Sequence, residues 1–465
     1  MSTAPFHLTG NHAPVDAERT AHNLPVTGAV PPELTGWYIR NGPNPRTPSG
    51  HWFTGEGMLH AVRLQGGRAT CYRNRWVRTA SLQDPTRRPY RPDGTQDLAA
   101  GPANTHLIRH AGRTFALVES ALPYEISCNH QDLTTIGPHD FAGRLTTSMT
   151  AHPKTCPDSG ELHFFGYGAL TPPHVTYHRA DATGNLIISR PLDAADIPTH
   201  TMMHDMALTT HYVVFLHLPV VFDKTKAAAG GMPYHFAPDH PARIGLLRRA
   251  DPYGPVHWFE VEACYVFHVV NAYEDARGRV RLHVVRYPHL WWEGHGKADA
   301  SLWCWTLDPE GYGGGGSGTS VREEQLDDRP CEFPRIDDRL TGHAARFGYV
   351  TDVGEAADGG GRGTDARRAG AILRYDLTTG SATAHEFAAG RTPGEACFVP
   401  RAPGLTSDDG WLLSYVYDAT TDRSDLVILD TADLTGAPAA VVHLPWRVPF
   451  GFHGNWLPDG VAGEW

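Results

Sequence analysis

Cysteine is scarce in this chain of 465 residues: there are seven, an odd number, and no two stand at C-x-x-C spacing. That favours reduced thiols in a cytoplasmic protein over a disulfide framework. Basic residues are outnumbered 40 to 51, giving a formal net charge of −11 spread along the chain. A nucleic-acid partner is therefore not expected. No window reaches the ~18–20 uninterrupted apolar residues that a spanning helix requires. Met1 to Pro14 has neither the basic nor the apolar stretch of a signal peptide. The one membrane association left open is a peripheral one. Glycine-rich runs occur at Gly313–Gly318 and Asp358–Gly363, but neither leads into Lys-Ser or Lys-Thr, so they read as surface loops and not as phosphate cradles. Long helical periodicity is missing too, with Gln96–Ala100 and Lys226–Ala229 the best candidates for short helices.

What the chain does have is hairpins. Met58–Leu64 and Thr70–Trp76 flank Gly66-Gly67. Asn104–Arg109 and Thr114–Glu119 flank Ala111-Gly112. Val175–Arg179 and Asn185–Arg190, Ala371–Leu377 and Ala382–Phe387, and Trp411–Tyr417 and Asp425–Asp430 repeat the pattern. Short β-branched and aromatic runs separated by turn residues are the signal of antiparallel strands. No shift in composition marks a domain boundary, so residues 1–465 are expected to form one domain, of which residues 1–35 are a loosely structured strap.

Superimposed on the hairpins is a second rhythm. His152, His204, His268, Glu332, Glu395 and His453 each sit at the centre of a short strand-like stretch, with successive gaps of 52, 64, 64, 63 and 58 residues. A repeat of this order, with several strands in each unit, is the mark of a β-propeller. The innermost strand of every blade faces the axis, so one residue per blade at equal depth converges on one point. The expectation is an all-β propeller of seven blades, six carrying these residues and one N-terminal blade without a histidine ligand, with short helices and loops capping one face. Four imidazoles and two carboxylates meeting on an axis make a metal site, with the carboxylates orienting the rings. The competing reading is that these are satisfied core histidines among the 28 in the chain. His200 stands four residues before His204, but the strand-like sequence that follows favours His204 alone. His211 and His217 are expected to point elsewhere.

The residues carry a resemblance. Arg40-Asn41-Gly42-Pro43-Asn44-Pro45, Gly55-Glu56-Gly57-Met58, Thr150-Ala151-His152-Pro153, His204-Asp205, Phe267-His268-Val269-Val270-Asn271-Ala272-Tyr273, Glu332-Phe333-Pro334-Arg335, Gly394-Glu395 and Phe452-His453-Gly454 are together similar to the carotenoid cleavage oxygenase family over nearly the whole chain. The resemblance implies a seven-bladed propeller with ferrous iron, Fe(2+), held by His152, His204, His268 and His453. It also implies outer carboxylates at Glu119, Glu332 and Glu395, and spacing alone does not find Glu119. It implies a dioxygenase that splits a carbon–carbon double bond of a polyene with O2 into two carbonyl products, without an organic cofactor. The stilbene-cleaving branch carries a lysine immediately before the glutamate matching Glu119. Here that residue is Val118, which favours a carotenoid or apocarotenoid. A second departure, Thr54 and Glu56 where many relatives have aspartates, touches no ligand. The rival readings are a stilbene or phenylpropene cleaver, an isomerase and a non-catalytic carotenoid-binding propeller.

A polyene is held by the apolar walls of a tunnel, for which Trp37, Phe53, Phe165 and Tyr167 are candidates, although a place in the propeller core is the commoner role for any one of them. It partitions into lipid, so an apolar rim is expected, with Leu216–Met232 the candidate for contact with a membrane surface. No obligate protein partner is evident.

Overall fold

The computed structural model describes residues 5–91, 95–129, 132–228, 232–296, 298–311, 321–352, 370–402 and 408–460. The glycine-rich loops expected at Gly313–Gly318 and Asp358–Gly363 lie outside them. Seven antiparallel sheets form a ring. Blade 2 runs from His106–His110 outward to Leu133–Pro138, and blade 3 from Lys154–Thr155 to Leu186–Pro191. Blade 4 runs from Met206–Leu208 to Val256–Glu260, blade 5 from Tyr265–Glu274 to Arg322–Gln325, and blade 6 from Glu332–Arg335 to Ala382–Glu386. Each of these has four strands. A small hairpin, Val220–Phe222 paired with Tyr234–Phe236, is inserted into blade 4.

Blades 1 and 7 are built from both ends of the described chain. In blade 1 the innermost strand is Gly454–Pro458, paired from Arg40↔Gly454 to Gly36↔Pro458 with the strand Gly36–Pro43. In blade 7, Val26–Gly28 adds an outer strand against Ala440–His443. The segment expected to be a loose strap is thus stitched to two blades, since Thr20–His22 also pairs with blade 1. Unpaired strand edges recruit any extended segment that can satisfy their backbone groups, which composition alone does not reveal.

The expected hairpins form, and turn chemistry sets their register. Gly66 and Gly67 both have positive φ (55° and 72°), as do Ala111 and Gly112 (50° and 75°). Two consecutive left-handed residues match the twist of a two-residue hairpin. Lys224–Ala228 is helical, near the expected place. Gln96–Ala100 is not: Asp97 is gripped through both carboxylate oxygens by Arg87 at 2.8 and 2.7 Å, which holds the segment as a turn. Instead the second short helix is Ala80–Gln83, capped by the Thr79 hydroxyl.

The core consists of apolar layers between neighbouring blades. Trp37 and Ile39 face Leu107 and Tyr124 of blade 2, while Tyr38, between them in sequence, faces Tyr415 and Leu413 of blade 7. Alternation along one strand therefore feeds two layers, and the strand Gly36–Pro43 is buried at every position. Outer strands such as Leu133–Pro138 alternate between buried and solvent-facing residues. Trp37 and Phe165 belong to these layers, not to a substrate wall. The Asn-Gly-Pro-Asn-Pro stretch is a joint between elements. Asn41 donates to the carbonyls of Ala103 and His106 in blade 2, and Asn44 exchanges two hydrogen bonds with the Val15 backbone. A Cβ on Gly57 would lie 2.3 Å from the Ala103 carbonyl oxygen, so glycine is required there.

Candidate metal centre

The seven innermost strands each deliver one residue near their start. His152 and His204 lie two residues ahead of theirs, and His453 one residue ahead of its strand. Glu332 opens the innermost strand of blade 6, and Glu395 lies in the break between Arg391–Pro393 and Cys397–Pro400 of blade 7. His268 is within its strand, where register shifts between Val266 and Asn271 free the ring from regular pairing. Beside Glu332, Phe333 adopts a left-handed φ of 52°, a strained backbone for an aromatic residue.

His152, His204, His268 and His453 each offer one ring nitrogen, and these atoms lie within 4.8 Å of one another. His204 Nδ1 donates to Glu119 in a very short contact, His268 Nδ1 to Glu332 at 2.6 Å, and His453 Nδ1 to Glu395 at 2.8 Å. A carboxylate can only accept, so each Nδ1 carries the proton and each Nε2 presents a lone pair. His268 Nε2 is buried without a hydrogen-bond partner among the described residues. His152 Nε2 and His204 Nε2 approach to 3.0 Å. A dry cluster of convergent lone pairs is costly unless a cation sits among them. Outer carboxylates on the far nitrogens are how metal-binding imidazoles are oriented. The residues present therefore fit a divalent transition metal.

The carboxylates are themselves held. Glu332 accepts from the Tyr287 hydroxyl at 3.1 Å and from its neighbour's backbone N–H at 2.5 Å. Glu395 accepts from Arg335 at 3.1 Å and the Gly454 N–H at 2.8 Å. Tyr167 lies against Glu119, and burial followed by that carboxylate's charge pushes its phenol well above the ordinary value. Burial, reinforced by the neighbouring imidazoles, holds His152 and His453 well below the usual histidine range. For His268 burial pulls the same way, but Glu332, Asp205 and Glu395 outweigh it and raise the value.

A part-buried brace joins three of the ligand-bearing segments. Lys154 Nζ meets Asp205 at 2.8 Å, and Asp205 accepts the Val269 N–H at 2.8 Å. These residues stand next to, or two along from, His152, His204 and His268. On another side Phe267, Phe333 and Phe452, each adjacent in sequence to a cluster residue, gather with Trp52, Phe53, Trp291 and Phe450 into an aromatic wall. Of the four tunnel candidates, Phe53 is in this wall and Tyr167 is beside Glu119.

Other histidines fall where expected or are accounted for. His200 stacks on Phe222 and bonds the Tyr234 hydroxyl. His211 bonds Glu274, and His217 is buried beside His240 and Trp258. The blade expected to carry no histidine ligand supplies none of the four clustered rings, but it does bring a histidine beside them. The innermost strand of blade 2 opens with His106, whose ring centroid is 5.2 Å from that of His453 and 5.7 Å from that of His152. It precedes His152 by only 46 residues, off the ~60-residue rhythm, and so escapes a search by period.

The family model for retinal pigment epithelial membrane protein matches residues 12–458. A carotenoid cleavage oxygenase of Mycobacterium tuberculosis is 36% identical, over 97% of this chain and 97% of that protein. The chain belongs to the carotenoid cleavage oxygenase family. Two solved members of similar shape are a lignostilbene dioxygenase of Pseudomonas brassicacearum and a cobalt-substituted apocarotenoid oxygenase of Synechocystis. The first has a TM-score of 0.84 and 26% identity, over 98% of this chain and 99% of that one. The second has a TM-score of 0.80 and 28% identity, over 96% of this chain and 97% of that one. All four imidazoles of the cluster fall within the residues that the family model matches.

Proposed function

We propose that His152, His204, His268 and His453 hold ferrous iron, with Glu119, Glu332 and Glu395 orienting three of them. On this reading the chain, acting as one domain over residues 1–465, splits a carbon–carbon double bond of a carotenoid or apocarotenoid with O2 into two carbonyl products. The observation that carries this is the convergence of four imidazoles, three with their outer nitrogen committed to a carboxylate, of which Glu332 and Glu395 are buried. Imidazole suits iron, zinc, copper and nickel alike, and membership of the family favours iron among them. Ferrous iron in this set would supply activation of O2.

The protein's own residues do the rest. The carboxylates keep the Nδ1 protons in place and offset the charge of a divalent ion. The aromatic wall excludes water and offers flat apolar surface to a polyene, which has almost no hydrogen bonds to give. The reaction asks no side chain for a proton. Contact with a membrane surface is assigned to a shorter segment than the sequence suggests. Leu216–Val220 is buried, and among the described residues Val221, Phe222, Met232 and the lysines of Lys224–Ala228 remain to be offered, while 229–231 lie outside those residues.

Stilbene cleavage is the second reading, favoured by the similarity to a lignostilbene dioxygenase. Val118, a buried apolar residue beside Glu119, speaks against phenol recognition there. The deciding experiment supplies Fe(II), O2 and either all-trans apocarotenals and carotenoids or hydroxystilbenes, with products read by mass. Two carbonyl fragments from a polyene are expected. Cleavage of stilbenes alone establishes the second reading. Retention of bound iron by His268→Ala overturns the ligand set.

A further inference from the structure

His204, His268 and His453 each have a carboxylate on Nδ1, and His152 has none among the described residues. Something else must fix its position, because an imidazole free to shift by a few tenths of an ångström is a poor ligand. The segment His152 belongs to is held at three points. Its own N–H donates to the Thr150 hydroxyl at 3.2 Å, and that hydroxyl reaches the His204 carbonyl at 3.1 Å. The third point is the Ala151 carbonyl, which lies 2.9 Å from His106 Nδ1. A carbonyl can only accept, so His106 is the donor and its tautomer is set. Its Nε2 is then a bare acceptor, buried and without a partner among the described residues.

Blade 2 also holds the other flank. The Thr105 carbonyl, one residue before His106, accepts the backbone N–H of His453 at 3.1 Å. Thr105 and His106 thus stand between His453 in blade 1 and His152 in blade 3, bonding the backbone on both sides. The His106 ring lies against both of their rings, tilted by 30° to His152 and 62° to His453.

We propose that His106 is the positioning residue of His152. Its N–H, donated to the Ala151 carbonyl, does for this imidazole what Glu119, Glu332 and Glu395 do for the other three. The proposal rests on the reading of the four histidines as metal ligands, and it completes a ring of seven polar residues, one from the innermost strand of every blade.

The test is titration of the metal-free full chain with Co(II), read by visible absorption and by affinity. It needs no substrate. Asparagine places its amide nitrogen where His106 has Nδ1, whereas glutamine reaches towards Nε2 and phenylalanine keeps only the ring. Loss of an outer partner costs roughly 10–100-fold in metal affinity. His106→Phe is therefore expected to bind Co(II) at least about tenfold more weakly, with a shifted visible spectrum. His106→Asn is expected to match the wild type in both. Wild-type affinity and spectrum in His106→Phe overturn the proposal. If His106→Phe does not fold, the remaining pair decides: Asn strong and Gln weak supports it, and equal binding overturns it. A wild-type chain that takes up no Co(II) overturns the four-histidine reading itself, and the proposal with it.

Discussion

Arg335 and Glu395 form an ion pair at 3.1 Å that continues directly into the cluster, because the other oxygen of the same carboxylate takes the His453 Nδ1 proton. Arg335 also donates to the Gly454 carbonyl at 2.7 Å. A single guanidinium thus clamps the carboxylate and the strand that follows His453. The Glu395 side chain is 1% exposed, so water cannot replace the lost partner. Arg335→Met, similar in reach but uncharged, is expected to lower stability by about 3–5 kcal/mol, the cost of stranding a buried charge. Urea unfolding measures it, and a loss under about 1 kcal/mol, typical of exposed pairs, contradicts this account.

Tyr287 supports Glu332 with one hydroxyl at 3.1 Å. Tyr287→Phe deletes only that bond. A hydrogen bond to a charged group contributes about 1.5–3 kcal/mol, so a stability loss in that range is expected. Co(II) affinity is expected to fall roughly tenfold, since Glu332 is then less firmly placed against His268. Equal Co(II) binding by the two proteins would show that the phenol does not tune the site.

The Lys154–Asp205 pair joins three ligand-bearing segments, but Lys154 is 21% exposed, so water reaches it more readily than it reaches Arg335. Lys154→Met is accordingly expected to cost less than Arg335→Met, about 2 kcal/mol, between the values for exposed and buried pairs. Parallel urea unfolding of the two variants checks the order.

Acid sensitivity is expected to begin above the carboxylate range. His283, buried and stacked on Tyr273, is lowered to about 4 by burial and then by Arg281. Its folded value lies below the unfolded 6.5, so the unfolded chain binds more protons between pH 6.5 and 4. Stability therefore rises with pH across that window and is lost as pH falls through it. At one unit per 1.36 kcal/mol the loss is on the order of 1–3 kcal/mol by pH 4. Thermal melts at pH 7 and 4.5 should show it, and His283→Phe should flatten the slope.

Much of this was legible in the residues, and the failures have physical causes. Hairpins announce themselves through Gly66-Gly67 and Ala111-Gly112 because two-residue turns demand left-handed backbone. The cluster residues keep a period because the blades have similar lengths. His106 broke the period because blade 2 is short, and Glu119 because it follows the second strand of its blade, Arg113–Leu117, not the innermost one. Residues 20–22 and 26–28 gave no strand signal, since their pairing is imposed by edges waiting in blades 1 and 7. Aromatic character alone does not separate a tunnel wall from the propeller core, and alternation along its strand turns Trp37 towards blade 2 and into the core.

The strand Gly454–Pro458 shuts the ring against residues from the opposite end of the chain, and His453 stands immediately before it. On the proposed ligand set, a chain whose ring is still open has three imidazoles in place and lacks the fourth. Assembly of the barrier to solvent and assembly of the coordination sphere are then a single event. Metal bound to the closed form alone draws the equilibrium towards closure by RT ln(1 + [metal]/Kd). The ion would act as a latch as well as a reagent, and depleting it should loosen the pairing of Gly454–Pro458 with Gly36–Pro43 before any other part of the ring.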